Sequence, residues 1–284
     1  MALLLSSAVS SAGAWSNGGF SPNPDNPKYG THDWIAEHAL DWLPPSEKQY
    51  LVNNIKTYLY GTELPDQTAT SVSDHIGDMT KHHVYFRSDG SLQDDAAAVR
   101  AAEEYANTLN HLKAGRLSEA ARVAGVMSHY IADMAVFGHV MGSGTEWGAE
   151  KHHSDYEERA LARTDSYASP YFTLTYDGSL SRLSAYDAAR NLAYNTTFGS
   201  HGFCECVWMD KNYDWDNPAF KDRCNESLNL AVNLLSDVLH TLYLDSNPGQ
   251  AYLPPVDTSL LVGIGAAAIT IIALILVLRR LRRT

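Results

Sequence analysis

From residue 32 onward, apolar side chains recur at intervals of three and four. His32 to Leu43 carries Trp34, Ile35, Ala39, Trp42 and Leu43, which places them along one side of a helix. That helix is expected to stop at Pro44-Pro45, because proline lacks the backbone donor that would continue it. A second helix is expected from Ser46 to near Gly61. The alanine-rich run from Asp94 to Ala114 closes at Gly115. Leu117 to Phe137 continues with Val123, Val126, Met127, Tyr130, Ile131 and Met134, and Tyr186–Tyr194 and Asn225–Leu244 also read as helical. No succession of alternating runs and tight turns suggests a sheet. The expected fold class is all-α.

Both ends of the chain break this pattern. Residues 245–258 hold three prolines and little periodicity, the character of a stalk. Ser259 to Leu278 follows without a charge; as a helix rising about 1.5 Å per residue, it is long enough for a hydrocarbon core of about 30 Å. Arg279, Arg280, Arg282 and Arg283 come next, so the positive-inside rule puts residues 279–284 in the cytoplasm and the bulk of the chain outside. At the other end, the apolar run Ala2–Leu5 and the small residues Ala12-Gly13-Ala14 form a short signal-peptide pattern over residues 1–14, with cleavage before Trp15. The expected protein is therefore a single-pass protein of the cell membrane, its helical domain at 15–244 extracellular.

The chain has 284 residues, 45% hydrophobic and 19% charged, enough to bury a large core. A net charge of −12 argues against sequence-independent nucleic-acid binding, which needs a basic track. No stable nucleic-acid complex is expected. A nuclease is not excluded, since bound metal ions supply local positive charge. Of the three cysteines, Cys204-Glu205-Cys206 lacks a zinc-site spacing, and outside the cell a disulfide from Cys224 to Cys204 or Cys206 is expected. Asn195-Thr196-Thr197 and Asn225-Glu226-Ser227 are glycosylation acceptor sequences.

The chemistry concentrates in the middle of the chain. His129 and Asp133 stand four residues apart, as do His153 and Glu157, with His139 between the pairs. On a helix, residues i and i+4 share a face, so each pair offers an imidazole and a carboxylate to one point, a donor set suited to zinc. Further candidates upstream are His32, Asp66, Asp74, His75, Asp78, His82 and His83. His38, His111, His201 and His240 read as surface or core residues, and Trp34, Trp42 and Trp147 as core or rim.

Trp15, His32-Asp33-Trp34-Ile35, Pro65-Asp66, His83-Val84-Tyr85-Phe86, His129-Tyr130-Ile131-Ala132-Asp133 with His139 six residues on, and His153-x-x-x-Glu157 follow one another in an order that resembles the zinc-dependent phospholipase C family. That family is similar in fold to the S1/P1-type nucleases, and the resemblance covers roughly residues 15–244. It implies a multi-helix catalytic domain with three Zn²⁺ ions at the bottom of a cleft. One ion would be held by Asp66, His83, His129 and Asp133. A second would be held by the amine and carbonyl of Trp15, by His32, and by Asp133 acting as a bridge. The third would be held by His139, His153 and Glu157. The amine of Trp15 exists only after cleavage before it, so the signal pattern and the resemblance meet on one residue. His83 is preferred to His82 because H-V-Y-F-x-x-D-G reproduces the family's spacing, and His153 to His152 because it reaches Glu157. Asp33, Asp74, Asp155 and Glu158 are candidates to accept from the ligands' second ring nitrogens.

The implied reaction is attack on phosphorus by a water shared between two zinc ions, with Asp66 both a ligand and the catalytic residue that orients this water. The expected substrate is a phospholipid, split to diacylglycerol and a phosphorylated head group. The anchor favours this, as does the Glu ending H-x-x-x-E, where the nuclease branch tends to have Asp. An extracellular nuclease or nucleotidase is the alternative, with Tyr85, Phe86 or Trp147 as stacking platforms. A non-catalytic zinc-binding surface protein is the third reading, and a complete ligand set speaks against it. Choline-preferring members have an acidic residue soon after the N-terminal Trp and an aromatic beside the first Asp. Gly18 with its neighbours and Gln67 occupy those places, so the head group stays open.

Overall fold

The stripe beginning at His32 forms helix α1 (Thr31–Ala39), whose entry is closed by the Asp33 carboxylate accepting the N–H of Gly30 at 2.9 Å. In the computed structural model, residues 21, 23, 25–66, 80–199 and 205–247 are described. The signal segment 1–14, Trp15, Asp74, His75, Asp78, His201, Cys204, the rest of the stalk from 248, the span 259–278 and the tail 279–284 lie outside them. Helix α1 gives way to turns before Leu43, and Pro45 opens α2 (Pro45–Val52) at the first position, where no backbone donor is required.

The single helix expected from Ser46 to Gly61 is two helices. Asn53 ends α2, and Asn54 precedes α3 (Ile55–Glu63), turning its side-chain amide back to the Tyr50 carbonyl at 2.8 Å. Asparagine competes for backbone groups in this way and interrupts helices. A 3₁₀ turn, Leu64–Asp66, follows α3. Two short antiparallel strands, β1 (Tyr85–Phe86) and β2 (Leu92–Asp94), form a hairpin, a departure from the expected all-helical pattern. Then come α4 (Ala96–Lys113), α5 (Leu117–Ala132), α6 (His153–Leu161), α7 (Ala185–Phe198), α8 (Glu205–Lys211) and α9 (Pro218–Ser246). The expected end of α4 holds: Gly115 takes the left-handed φ of +71°. Helix α5 stops five residues before the expected Phe137, because Val136 is extended and the backbone tightens into 3₁₀ turns at Asp133–Ala135 and Phe137–His139. Helix α9 runs through Ser246, into the first residues of the expected stalk.

Helix α5 is the central element, packed against α4, α3, α1, α7 and α9. Its Met127, Tyr130 and Ile131 are buried with Trp34 and Ile35 of α1, Tyr58 of α3, Leu192 of α7 and Val232 of α9. Two glycines set the distance between α3 and α5. A Cβ at Gly125 would lie 2.1 Å from the Tyr58 carbonyl oxygen, and one at Gly61 would lie 2.1 Å from that of Arg122.

Residues 173–183 are held to α9 by a ladder of side chains. Asn225 exchanges two hydrogen bonds with the backbone of Thr173, Asn229 and Asn233 accept from Thr175 and Asp177, Asp237 accepts from Ser181, and Thr241 accepts from Leu183. The geometry explains the pairing at every step but one. Four residues of helix rise about 6.0 Å, and two residues of extended chain advance about 6.6 Å. Between Asp177 and Ser181 the segment takes four residues for the same rise, because Gly178, with a φ of +92°, breaks the extended run. With its amide so engaged, Asn225 is structural here. Of the disulfides expected at Cys224, the one to Cys206 is not formed among the described residues: both cysteines are buried, and the Cys224 sulfur accepts from the Tyr156 hydroxyl at 3.1 Å. Among the described residues no helix is long and apolar enough to cross a membrane.

Candidate metal centre

His129 occupies the last turn of α5 and Asp133 its C-terminal boundary, so their side chains meet, with Nε2 of His129 3.2 Å from Oδ2 of Asp133. The other ring nitrogen of His129, Nδ1, donates to the Thr62 carbonyl at 2.7 Å. This fixes the tautomer that turns the Nε2 lone pair into the site. His32, in the first turn of α1, stacks on His129 with ring centroids 3.9 Å apart and brings Nε2 to 3.0 Å from Oδ1 of Asp133. Asp66 ends the 3₁₀ turn after α3 and sets Oδ1 3.6 Å from Nε2 of His129.

The next position in the cluster differs from the expectation. His82, not His83, faces the cluster: its Nδ1 lies 2.8 Å from Oδ2 of Asp133, 3.2 Å from Nε2 of His129 and 3.7 Å from Oδ1 of Asp66. His83 turns away, stacks on Tyr85 and meets Asp94 at 3.4 Å. The cause is strand parity. Alternate residues of extended chain point to opposite faces, and Val84 and Phe86 are fully buried, so His82 shares their inward face. The sequence carried this signal in the apolar Val84 and Phe86.

A second group lies beside the first. His139 ends a 3₁₀ turn, His153 starts α6, and Glu157 stands one turn further along. Oε1 of Glu157 is 2.8 Å from Nε2 of His153 and 3.4 Å from Nε2 of His139, and the two imidazole nitrogens are 3.4 Å apart. His152 is directed elsewhere, onto Asp210 and the face of Tyr213. Gly138 makes room for His153: a Cβ there would lie 2.4 Å from the ring's Cγ. Gly138→Ala is expected to displace His153 and cost this group its metal with the fold retained. Metal content, read beside the helical circular dichroism, checks this; an unchanged metal content would contradict it.

Of the proposed second partners, Asp33 binds Thr62, Asp155 binds the Tyr213 hydroxyl and Glu158 is exposed. None touches an imidazole of the two clusters. Glu150 comes nearer, 3.6 Å from Nδ1 of His153. His38 pairs with Asp41, His111 with Arg116 and the buried His240 with Glu47, all away from the centre.

The charges are strongly coupled. Burial alone would raise Asp133, but His129, His139 and His82 outweigh it and hold its carboxyl well below the ordinary range. Burial pushes Asp66 up against the pull of His129, and lowers His129 itself. Burial also disfavours a charged His153, yet Glu150 and Glu157 overcome this and raise it to about 10. The sign follows: in metal-free protein the His153–carboxylate pairing stabilises fully below the ordinary histidine pKa and is lost as pH rises through about 10. Zinc must displace that proton, so affinity at this group should climb with pH. An NMR titration of metal-free protein should place the His153 midpoint far above the ordinary value of about 6.5; a midpoint at the ordinary value would contradict the pairing.

The donor set fits zinc. Two ligands about 2.0–2.1 Å from a tetrahedral ion are about 3.3 Å apart. Among the described residues, three sets converge within 4.8 Å: His32, His129 and Asp133; Asp66, His82 and His129; and His139, His153 and Glu157. Asp133 joins them, with Oδ2 toward His82 and His129, and Oδ1 toward His32 and, at 3.7 Å, His139. These groups border a cleft of about 360 Å³, with Asp66, His82, His139 and His153 among its lining and His83, Tyr85 and Glu150 on its wall. Of the three aromatics considered for base stacking, Phe86 is fully buried, Trp147 is tied to the Phe86 carbonyl and packed on Phe198, and Tyr85 lines the cleft.

Comparison with known proteins agrees with this geometry. A family model described as zinc dependent phospholipase C matches residues 31–245. The solved structure of the alpha toxin from Clostridium absonum superposes with a TM-score of 0.53 at 15% identity, over 82% of this chain and 68% of that one. Clostridium perfringens alpha-toxin from an avian strain gives 0.51 at 16% identity, over 81% and 67%. At such identities these structures show a shared fold. No protein among the curated sequences matches.

Proposed function

Since the chain belongs to the zinc-dependent phospholipase C family, and is thereby a zinc-dependent phosphoric diester hydrolase, we propose that it cleaves phospholipids to diacylglycerol and a phosphorylated head group at the centre built around Asp133. The observation that carries this reading is the buried Asp133 carboxylate, which presents one oxygen to His82 and His129 and the other to His32, beside the His139–His153–Glu157 group. Three zinc ions held there would supply a water acidic near neutral pH and positive charge for the phosphate oxygens.

Placement supports the following assignments. Asp66, His82, His129 and Asp133 form one ligand set, replacing the set that contained His83. His32 and Asp133 belong to the second, with the amine and carbonyl of Trp15 proposed to complete it. His139, His153 and Glu157 form the third. Nε2 of His129 serves one ion only, because Nδ1 is committed to Thr62. The Asp66 side chain is 25% exposed and lines the cleft, so one of its oxygens is available to orient the attacking water. His83 and Tyr85 become wall residues. Membrane attachment through 259–278, with the catalytic domain outside, stays part of the proposal and rests on the uncharged run and the arginines after it.

Hydrolysis of a short-chain phospholipid in ¹⁸O-labelled water tests the reaction. Label on the phosphorus of the released head group is expected, because water attacks there. Label absent from phosphorus, or hydrolysis indifferent to a zinc chelator, would contradict the proposal.

A further inference from the structure

Asp33 is fully buried beside the metal centre, where neutral donors, the Gly30 N–H and the Thr62 hydroxyl, hold its carboxylate. A buried carboxylate without a counter-ion is costly unless its hydrogen bonds compensate. Its bonds join two elements. One oxygen accepts the N–H of Gly30 at 2.9 Å and closes the entry to α1; the other accepts the Thr62 hydroxyl at 3.0 Å, in the last turn of α3. Each tie leads to a metal-binding imidazole. His32 precedes Asp33 in α1, and the Thr62 carbonyl takes Nδ1 of His129. These two rings stack at 3.9 Å while aiming Nε2 at opposite oxygens of Asp133. Next to Thr62, Glu63 adds a parallel tie, accepting from the backbone N–H and hydroxyl of Ser21 and from the N–H of Lys28.

We propose that Asp33, acting through Thr62, is a positioning residue that couples His32 to His129 and so sets the spacing of the two ligand sets that share Asp133. This rests on the zinc centre proposed above. It assigns Asp33 a geometric role, and the competing role is compensation of the ions' charge. The substitution Asp33→Asn separates the two. Its side-chain carbonyl accepts from Gly30 and its amide donates to the Thr62 hydroxyl, whose single proton, shared in the wild type between Asp33 and the Leu59 carbonyl, then goes to Leu59 alone, 2.8 Å away. Placement therefore survives without the charge.

The test uses the full chain, with zinc affinity read by chelator competition and geometry by the visible bands of the cobalt-loaded protein. Asp33→Leu and Thr62→Val are each expected to weaken zinc binding by about tenfold or more and to shift the cobalt bands, while Asp33→Asn keeps both near wild type. Asp33→Asn as weak as Asp33→Leu would overturn placement in favour of charge. Should Asp33→Leu fail to fold, the near-isosteric Thr62→Val carries the test, and wild-type affinity and bands in that variant would overturn the coupling. A wild-type chain that takes up no zinc would instead overturn the reading of the site itself.

Discussion

Asp133→Asn should strip two metal ions together and cost about a thousandfold in turnover, about 4 kcal/mol of transition-state stabilisation. The amide matches the carboxylate in size, so packing at this fully buried position is little changed. Its chemistry is not matched. Asparagine has one acceptor oxygen and one donor nitrogen, whereas Asp133 presents an oxygen to each of two imidazole groups. Whichever way the amide turns, one group faces N–H donors in place of a ligand, and both groups lose the shared negative charge. Elemental analysis of gel-filtered protein reads the outcome, with thermal unfolding to verify the fold. Loss of a single ion would contradict the bridge.

Gly125→Ala is expected to destabilise by about 3 kcal/mol or more, although alanine is the better helix former by about 1 kcal/mol. The clash decides the sign. The new methyl would lie 2.1 Å from the Tyr58 carbonyl oxygen and 2.8 Å from the Gly61 Cα, both backbone atoms that no rotamer change can move. To accommodate it, α3 must retreat from α5. That carries Thr62 away from His129, whose Nδ1 it holds at 2.7 Å, and Asp66 away from the same ring. Denaturant unfolding should therefore show a lower midpoint, and zinc content should fall at the Asp66–His82–His129 set. A variant as stable as wild type with full metal content would refute this view of the α3–α5 contact.

The parts of the site that were legible in the sequence are those set by local geometry. The pairs His129–Asp133 and His153–Glu157 are four residues apart and meet as helix periodicity requires. The helices themselves came from apolar spacing, and the misplaced boundaries have local causes: Asn54 at the α2–α3 break, and Val136 beyond α5. Motif spacing selects His83, whereas the parity of Val84 and Phe86 turns His82 toward the cluster. Long-range placement was not legible. Nothing local in the sequence says that the Thr62 carbonyl orients His129, that Asp66 returns to His82, or that the asparagines of α9 bind residues 173–183. Such contacts depend on helix packing, and single-residue patterns do not encode it.

The central claim is best tested by phosphorus NMR of the products that the zinc-loaded protein makes from mixed phospholipids and, in parallel, from single-stranded DNA. Free phosphorylated head groups beside intact DNA are the predicted result. Mononucleotides released while the lipids stay whole would contradict it and assign the centre around Asp133 to nuclease chemistry.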